Sequence, residues 1–165
     1  MINCYEGLPG SGKSYEAVLR ILENLKLGRV IYTNIEGLDD PDCREMIKIQ
    51  TGLNDFQLST QLNYISDSEI TVKYKQAAQG SMIVIDECHE LINSRNWQSN
   101  ENADFSKWAA RHRKLGYDVL LLTQNIEKID SHVRGLVNYT YCFGKANFFG
   151  RLSGGAYTRK AFLGI

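Results

Sequence analysis

Apolar residues along this chain recur with two different periods, and the changes between them mark its elements. Ile2-Asn3-Cys4-Tyr5-Glu6 alternates like a strand and runs directly into Gly7-Leu8-Pro9-Gly10-Ser11-Gly12-Lys13-Ser14. Val18, Ile21, Leu22 and Leu25 then repeat at helical spacing, with Gly28 as the stop. Val30-Ile31-Tyr32-Thr33 reads as the next strand, and a strand–helix–strand unit favours a parallel sheet. Residues 36–65 carry a mixed pattern in which Asp39-Asp40-Pro41-Asp42 reads as a turn, and one or two short helices are expected there.

Ser66-Asp67-Ser68-Glu69 has capping-box spacing, and Ile70, Tyr74, Ala77 and Ala78 continue on one helical face until Gly80. Ser81-Met82-Ile83-Val84-Ile85-Asp86 lacks alternation, as a strand covered on both faces does. Phe105, Trp108, Ala109, His112 and Leu115 predict a helix over about 103–115 ended by Gly116. Val119-Leu120-Leu121-Leu122-Thr123 is a second covered strand, a helix is expected near 126–136, and Tyr139–Gly144 with the stretch around 147–163 reads as edge strands or a hairpin. The pattern predicts an α/β fold, a mainly parallel β-sheet flanked by helices on both faces.

A length of 165 residues with 43% apolar composition fits one domain, 1–165, with material for a real core. The longest apolar stretches, Met82–Ile85 and Val119–Leu122, are too short to cross a bilayer, so this stretch is expected to be soluble. Cys4, Cys43, Cys88 and Cys142 are scattered, form no Cys-x-x-Cys pair and follow no signal peptide, which points to ordinary thiols in a reducing compartment. The formal net charge of zero hides an asymmetry: residues 1–130 hold 14 Lys and Arg against all 19 acids, and residues 131–165 hold five bases and no acid. Such a basic end suits nucleic acid or anionic lipid, or simply solvent.

The segment Gly7, Leu8, Pro9, Gly10, Ser11, Gly12, Lys13, Ser14 satisfies G-x-x-x-x-G-K-[ST] between a strand and a helix. Its glycines let backbone N–H groups wrap phosphate oxygens, Lys13 reaches the β- and γ-phosphates, and Ser14 can ligate Mg²⁺. ATP and Mg²⁺ are therefore the expected cofactors. Asp86-Glu87 closes the covered strand at 82–85; behind a phosphate loop, Asp86 is placed to hold Mg²⁺ through water and Glu87 to polarise an attacking water, with Glu90 a poorer substitute. Thr123-Gln124-Asn125 closes the strand at 119–123, where Gln124 can sense the γ-phosphate or merely begin a turn. No Asn-Lys-x-Asp guanine-reading sequence occurs, which lowers a GTPase reading. Arg134 is the first candidate for a cation delivered late to a phosphoryl-transfer site, which in some enzymes comes from a neighbouring subunit. Lys107, Arg111 and Lys114 make a stripe at i, i+4 and i+7 for nucleic acid, a partner or solvent, and His112 belongs to the apolar face.

Taken together, Gly-Leu-Pro-Gly-Ser-Gly-Lys-Ser at residues 7–14, Val-Ile-Asp-Glu at 84–87, and Arg-His-Arg-Lys-Leu-Gly-Tyr-Asp-Val-Leu-Leu-Leu-Thr-Gln at 111–124 resemble the zonular occludens toxin (Zot) family over most of residues 1–140. That resemblance implies a RecA-like (ASCE) P-loop NTPase core of the FtsK/HerA group. It implies an ATPase motor for filamentous-phage assembly or export and a tendency to form homo-oligomeric rings. The implied partners are single-stranded DNA or phage nucleoprotein, other phage assembly proteins, and the inner membrane through a region absent from this chain. By the same resemblance Lys13 and Ser14 are phosphate and Mg²⁺ ligands, Asp86 and Glu87 the metal-supporting and catalytic acids, Gln124 the sensor and Arg134 the finger. The chain then looks like the cytoplasmic N-terminal part of a longer, membrane-anchored protein; the family's toxin action is not carried over. Two other readings stay open: a small-molecule or nucleoside kinase, and a non-hydrolysing nucleotide-binding switch.

Overall fold

Strand β1 (Ile2–Glu6) and helix α1 (Lys13–Lys26) meet at a glycine-rich turn on the carboxyl edge of the sheet. The computed structural model describes residues 1–93, 100–145 and 157–163. After α1 come β2 (Ile31–Thr33), α2 (Pro41–Thr51), α3 (Asp55–Gln61), β3 (Leu62–Tyr64), α4 (Asp67–Lys73) and β4 (Met82–Ile85). The chain continues through α5 (Cys88–Leu91), α6 (Asn100–Ala109), β5 (Asp118–Thr123), α7 (Ser131–Arg134), β6 (Tyr139–Lys145) and β7 (Tyr157–Leu163). Among the described residues the sheet has seven strands in the order β3-β2-β4-β5-β1-β6-β7. All pairs are parallel except β6 with β7, whose antiparallel register runs from Tyr139 opposite Leu163 to Lys145 opposite Tyr157.

Strand alternation divides the core in two. Ile83, Ile85, Val119 and Leu121 point to one face, where Ile70 of α4, Phe105 and Trp108 of α6 and Val133 of α7 cover them. Met82, Val84, Leu120 and Leu122 point to the other, under Ala17, Ile21 and Leu25 of α1, Ile47 of α2 and Leu58 of α3. Ile21 and Leu25 have no exposed surface, and each contributes roughly 1.5–3 kcal/mol by burial. That outweighs the few tenths contributed by the exposed Arg20–Glu23 pair, so packing rather than charge seats α1 on the sheet. Among the described residues, no helix is long and apolar enough to cross a membrane. All four cysteines are free, and burial pushes each thiol up from its ordinary value.

Several elements differ from their sequence expectation. Asp39-Asp40-Pro41-Asp42 runs from a turn at 36–39 into α2, one of the two short helices within 36–65: Asp40 is the N-cap and Pro41 the first helical residue, where its missing N–H costs nothing. Asn54 and Gln57 form a reciprocal capping box at the start of α3. Between them and α4 lies β3, a strand that local pattern does not announce because it exists through pairing with Ile31–Thr33. The helix expected over 103–115 stops at Ala109, and residues 110–116 continue as turns. His112 Nδ1 lies 2.6 Å from the Ala109 carbonyl and Tyr117 N–H bonds back to His112, so the chain curls instead of propagating. Lys107, Arg111 and Lys114 therefore do not form a single helical stripe. His112 is buried, as its place on the apolar face suggested, and burial pushes its imidazole below the ordinary range. The helix expected at 126–136 divides into a 3₁₀ turn at Ile126–Lys128 and the short α7, because Asn125 and Asp130 each cap their own turn. The part of the edge hairpin at 146–156 lies outside the described residues.

Candidate phosphate-binding site

The loop from Gly7 to Ser14 is closed on itself. Gly7 N–H donates to Thr123 O at 3.2 Å, and Ser11 N–H donates to Leu8 O at 3.1 Å. Gly10 and Gly12 sit at φ 70° and 94°, a left-handed conformation that would strain a side chain, and Gly12 caps α1 from there. Leu8 points outward at 73% exposure, while Ser11 and Lys13 are buried. Lys13 Nζ donates to Gly7 O at 2.6 Å and Leu8 O at 3.3 Å, so the ammonium lies beneath the loop. The first-turn N–H groups of a helix have no acceptor within it, which makes the start of α1 suited to an anion.

Strand order brings the acids to this loop. Ser14 Oγ donates to Asp86 Oδ2 at 3.1 Å across 72 residues of sequence. Burial pushes the Asp86 carboxyl up from its usual value, opposed by hydrogen bonds from the Glu87 N–H and Ser14. A half-buried carboxylate and a hydroxyl this close supply the hard oxygen donors that Mg²⁺ takes alongside phosphate. Glu87 follows at φ 43°, the only non-glycine positive φ among the described residues, held there as its N–H bonds Asp86 Oδ1 at 2.9 Å. Gln124 Nε2 donates to Glu87 Oε1 at 3.3 Å. Ser14, Asp86 and Glu87 line one cleft of about 370 Å³ together with Asn34, Glu36 and Asp67.

Arg134 is placed differently. It ends α7, half-buried, and its side chain makes no hydrogen bond or ion pair with these groups among the described residues. Among the described residues of this chain the arrangement thus contains Lys13, Ser14, Asp86, Glu87 and Gln124, but not Arg134.

Two residues that sequence reasoning passed over belong here. Asn34, directly after β2, accepts from Asp86 N–H at 2.7 Å and donates to Asp86 O at 3.1 Å and Asp67 Oδ1 at 2.6 Å. It fixes the acidic strand end from the neighbouring strand; its only sequence signal is a polar residue closing β2. Asn34→Ala leaves the buried Asp86 N–H unpaired, and is expected to lower stability by about 1–3 kcal/mol in denaturant unfolding. Unchanged unfolding would contradict this bracing role. His89, also buried, has Nδ1 3.2 Å from Glu87 Oε2, an ion-pair distance if the ring is protonated. Neither atom meets hydrogen-bond geometry with any partner, so the two are neighbours and not a bonded dyad.

The chain is similar to several known proteins. The Gene 1 protein of Enterobacteria phage I2-2 is 30% identical over 148 residues, covering 82% of this chain and 38% of the relative, so the chain spans well under half of that protein's length. The N-terminal domain of zonular occludens toxin from Neisseria meningitidis superposes with a TM-score of 0.66 at 23% identity, over 99% of this chain and 84% of that one. The genome packaging NTPase B204 from Sulfolobus turreted icosahedral virus 2, solved with AMPPCP, superposes with a TM-score of 0.62 at 17% identity, over 89% and 76%. These structural likenesses carry the P-loop NTPase fold. The family model for zonular occludens toxin (Zot) matches residues 1–160, and the chain belongs to that family.

Proposed function

We propose that this chain is the Mg²⁺-dependent ATPase domain of a Zot-family protein that powers filamentous-phage assembly or export. The observation that carries the reading is the 3.1 Å contact between Ser14 and Asp86, with Glu87 and Gln124 beside it. Bound between Ser14, Asp86 and the phosphates, Mg²⁺ would neutralise charge on the transferring phosphoryl group.

The chain's own groups do the rest. Lys13 exchanges its hold on the Gly7 and Leu8 carbonyls for β/γ-phosphate oxygens. Glu87 accepts a proton from the attacking water as the new oxygen–γ-phosphorus bond forms and the β–γ bridging bond breaks, giving ADP and phosphate. Gln124 holds the Glu87 carboxylate from the next strand, and there it would sense the γ-phosphate. The missing cation is assigned to Arg134 of a neighbouring copy in a homo-oligomeric ring. The substrate moved is single-stranded DNA or phage nucleoprotein, with other phage assembly proteins as partners. The location is the cytoplasmic side of the inner membrane, reached through a region beyond this chain.

Phosphate release measured against protein concentration, with and without single-stranded DNA, tests the proposal. Specific activity is expected to rise with concentration as neighbours complete the site, and to rise further with DNA. ATP that stays bound and uncleaved under all these conditions would leave a nucleotide-binding switch, and phosphate passed to an acceptor other than water would leave a kinase.

A further inference from the structure

The chain carries two exposed patches of opposite character, one on each face of the sheet. On the α1 side, the α2–α3 pair leaves Met46 57%, Ile49 68% and Phe56 76% exposed, although the same helices bury Ile47 and Leu58. Residues 36–55 hold six acids against two cations, Arg44 and Lys48. Lys48 is already held by Glu45 and Asp55, whereas Glu36, Asp39, Asp40 and Asp42 are exposed and enter no ion pair among the described residues. On the other face, residues 107–114 hold four cations and no acid. The turn after Ala109 breaks their helical stripe but leaves Lys107, Arg111, Arg113 and Lys114 exposed, and none is in an ion pair among the described residues. Beside them a groove of about 340 Å³ lies between α6 and α7, lined by Ser106, Lys107, Ala110, His132 and Leu136.

We infer that the α2–α3 surface of one copy of this chain docks in the α6–α7 groove of the next, with Phe56 as its anchor. Singly exposed apolar side chains need no explanation, but three on one helix pair amid unpaired acids have the make-up of an interface, apolar at the centre and polar at the rim. The groove is the complement, with Ala110 and Leu136 apolar and the unpaired cations alongside. Nucleic acid fits it less well, since the groove has no Phe, Tyr or Trp on which a base could stack. Because the two patches lie on opposite faces of the sheet, the contact is head-to-tail, and each copy keeps one patch free for a further neighbour. The direction of the contact rests on the proposed ATPase reading, in which Arg134 comes from a neighbouring copy. Arg134 lies on α7, in sequence between the groove residues His132 and Leu136, while Glu36 beside the docked surface lines the Asp86 cleft. The same contact therefore carries Arg134 of one copy toward the phosphate site of the next.

Sedimentation of wild type, Phe56→Ser, Ala110→Glu and an equimolar mixture of the two variants tests the contact. Phe56 and Ala110 are exposed, so both variants keep the fold. Wild type is expected to associate with rising concentration, less so as salt screens the charges, and each variant alone to associate at least about tenfold more weakly. The mixture should recover one contact and stop at a dimer, because Phe56 of the Ala110→Glu copy still meets an intact groove on the Phe56→Ser copy. In that dimer Arg134→Ala should cut phosphate release at least about tenfold when the Phe56→Ser copy carries it. A larger loss when the Ala110→Glu copy carries it would reverse the direction and overturn the inference. So would a wild type that stays monomeric at every concentration, a variant that associates like wild type, or a mixture that stays monomeric. Binding of single-stranded DNA to a monomeric wild type, lost in Ala110→Glu, would give the groove to nucleic acid instead. A mixture that pairs as expected yet hydrolyses no ATP supports the contact and sinks the ATPase reading alone.

Discussion

Glu87→Gln is expected to bind ATP with near wild-type affinity and to release phosphate at least about a hundredfold more slowly. The substitution keeps side-chain length and removes the one property that matters for accepting a proton. Its neighbours tolerate it: the new amide oxygen can still accept from Gln124 Nε2, and the backbone N–H keeps its bond to Asp86 Oδ1. The left-handed conformation at φ 43° is an added reason to look here. A non-glycine residue held in that region costs on the order of 1 kcal/mol, and the fold retains it where a side chain must be aimed. Direct binding and single-turnover phosphate release, measured on the same sample, separate affinity from chemistry. A slowing of less than tenfold would remove Glu87 from the role of base and turn attention to Glu90, which lies on α5 and is exposed.

The parts of this molecule that were legible in sequence are those set by local rules. The glycine-rich loop, the covered strands β4 and β5 and the apolar stripe of α1 each follow from a few adjacent residues. What was not legible depends on strands meeting. β3 is three residues long and defined by its partner β2. Asn34 matters because β2 lies beside β4, an adjacency that separates neighbours in space by 52 residues in sequence. The stripe of Lys107, Arg111 and Lys114 failed for a different reason: periodicity carried the helix on to Leu115, but the chain turns after Ala109, with His112 packed against its carbonyl. The motif that ends in Asp86 is local, yet the 3.1 Å approach of Asp86 to Ser14 is a product of strand order.

Gly7→Ala is expected to cut nucleotide affinity at least about tenfold and to lower the melting temperature by several degrees. The reason differs from the one that applies at Gly10 and Gly12, whose positive φ angles call for glycine. Gly7 has an ordinary backbone conformation, and the constraint is space: an added Cβ would stand 2.6 Å from the Phe143 carbonyl oxygen, 2.7 Å from Ser11 Oγ and 3.1 Å from Phe143 Cβ. Ser11 Oγ can swing aside; the β6 backbone cannot without disturbing its pairing with β1. Overpacking of this kind costs about 1–3 kcal/mol, which for a domain of this size is on the order of 2–10 °C. The larger effect falls on the loop, because Gly7 is also where Lys13 Nζ is anchored at 2.6 Å and where the N–H is tied to β5. Moving it shifts the ammonium and the amides together. Thermal unfolding with and without ATP distinguishes the two consequences: the variant should remain folded at 25 °C yet lose most of the stabilisation that saturating ATP gives the wild type. If that ligand-dependent rise survives intact, the close approach of β1 and β6 is not what shapes the phosphate site.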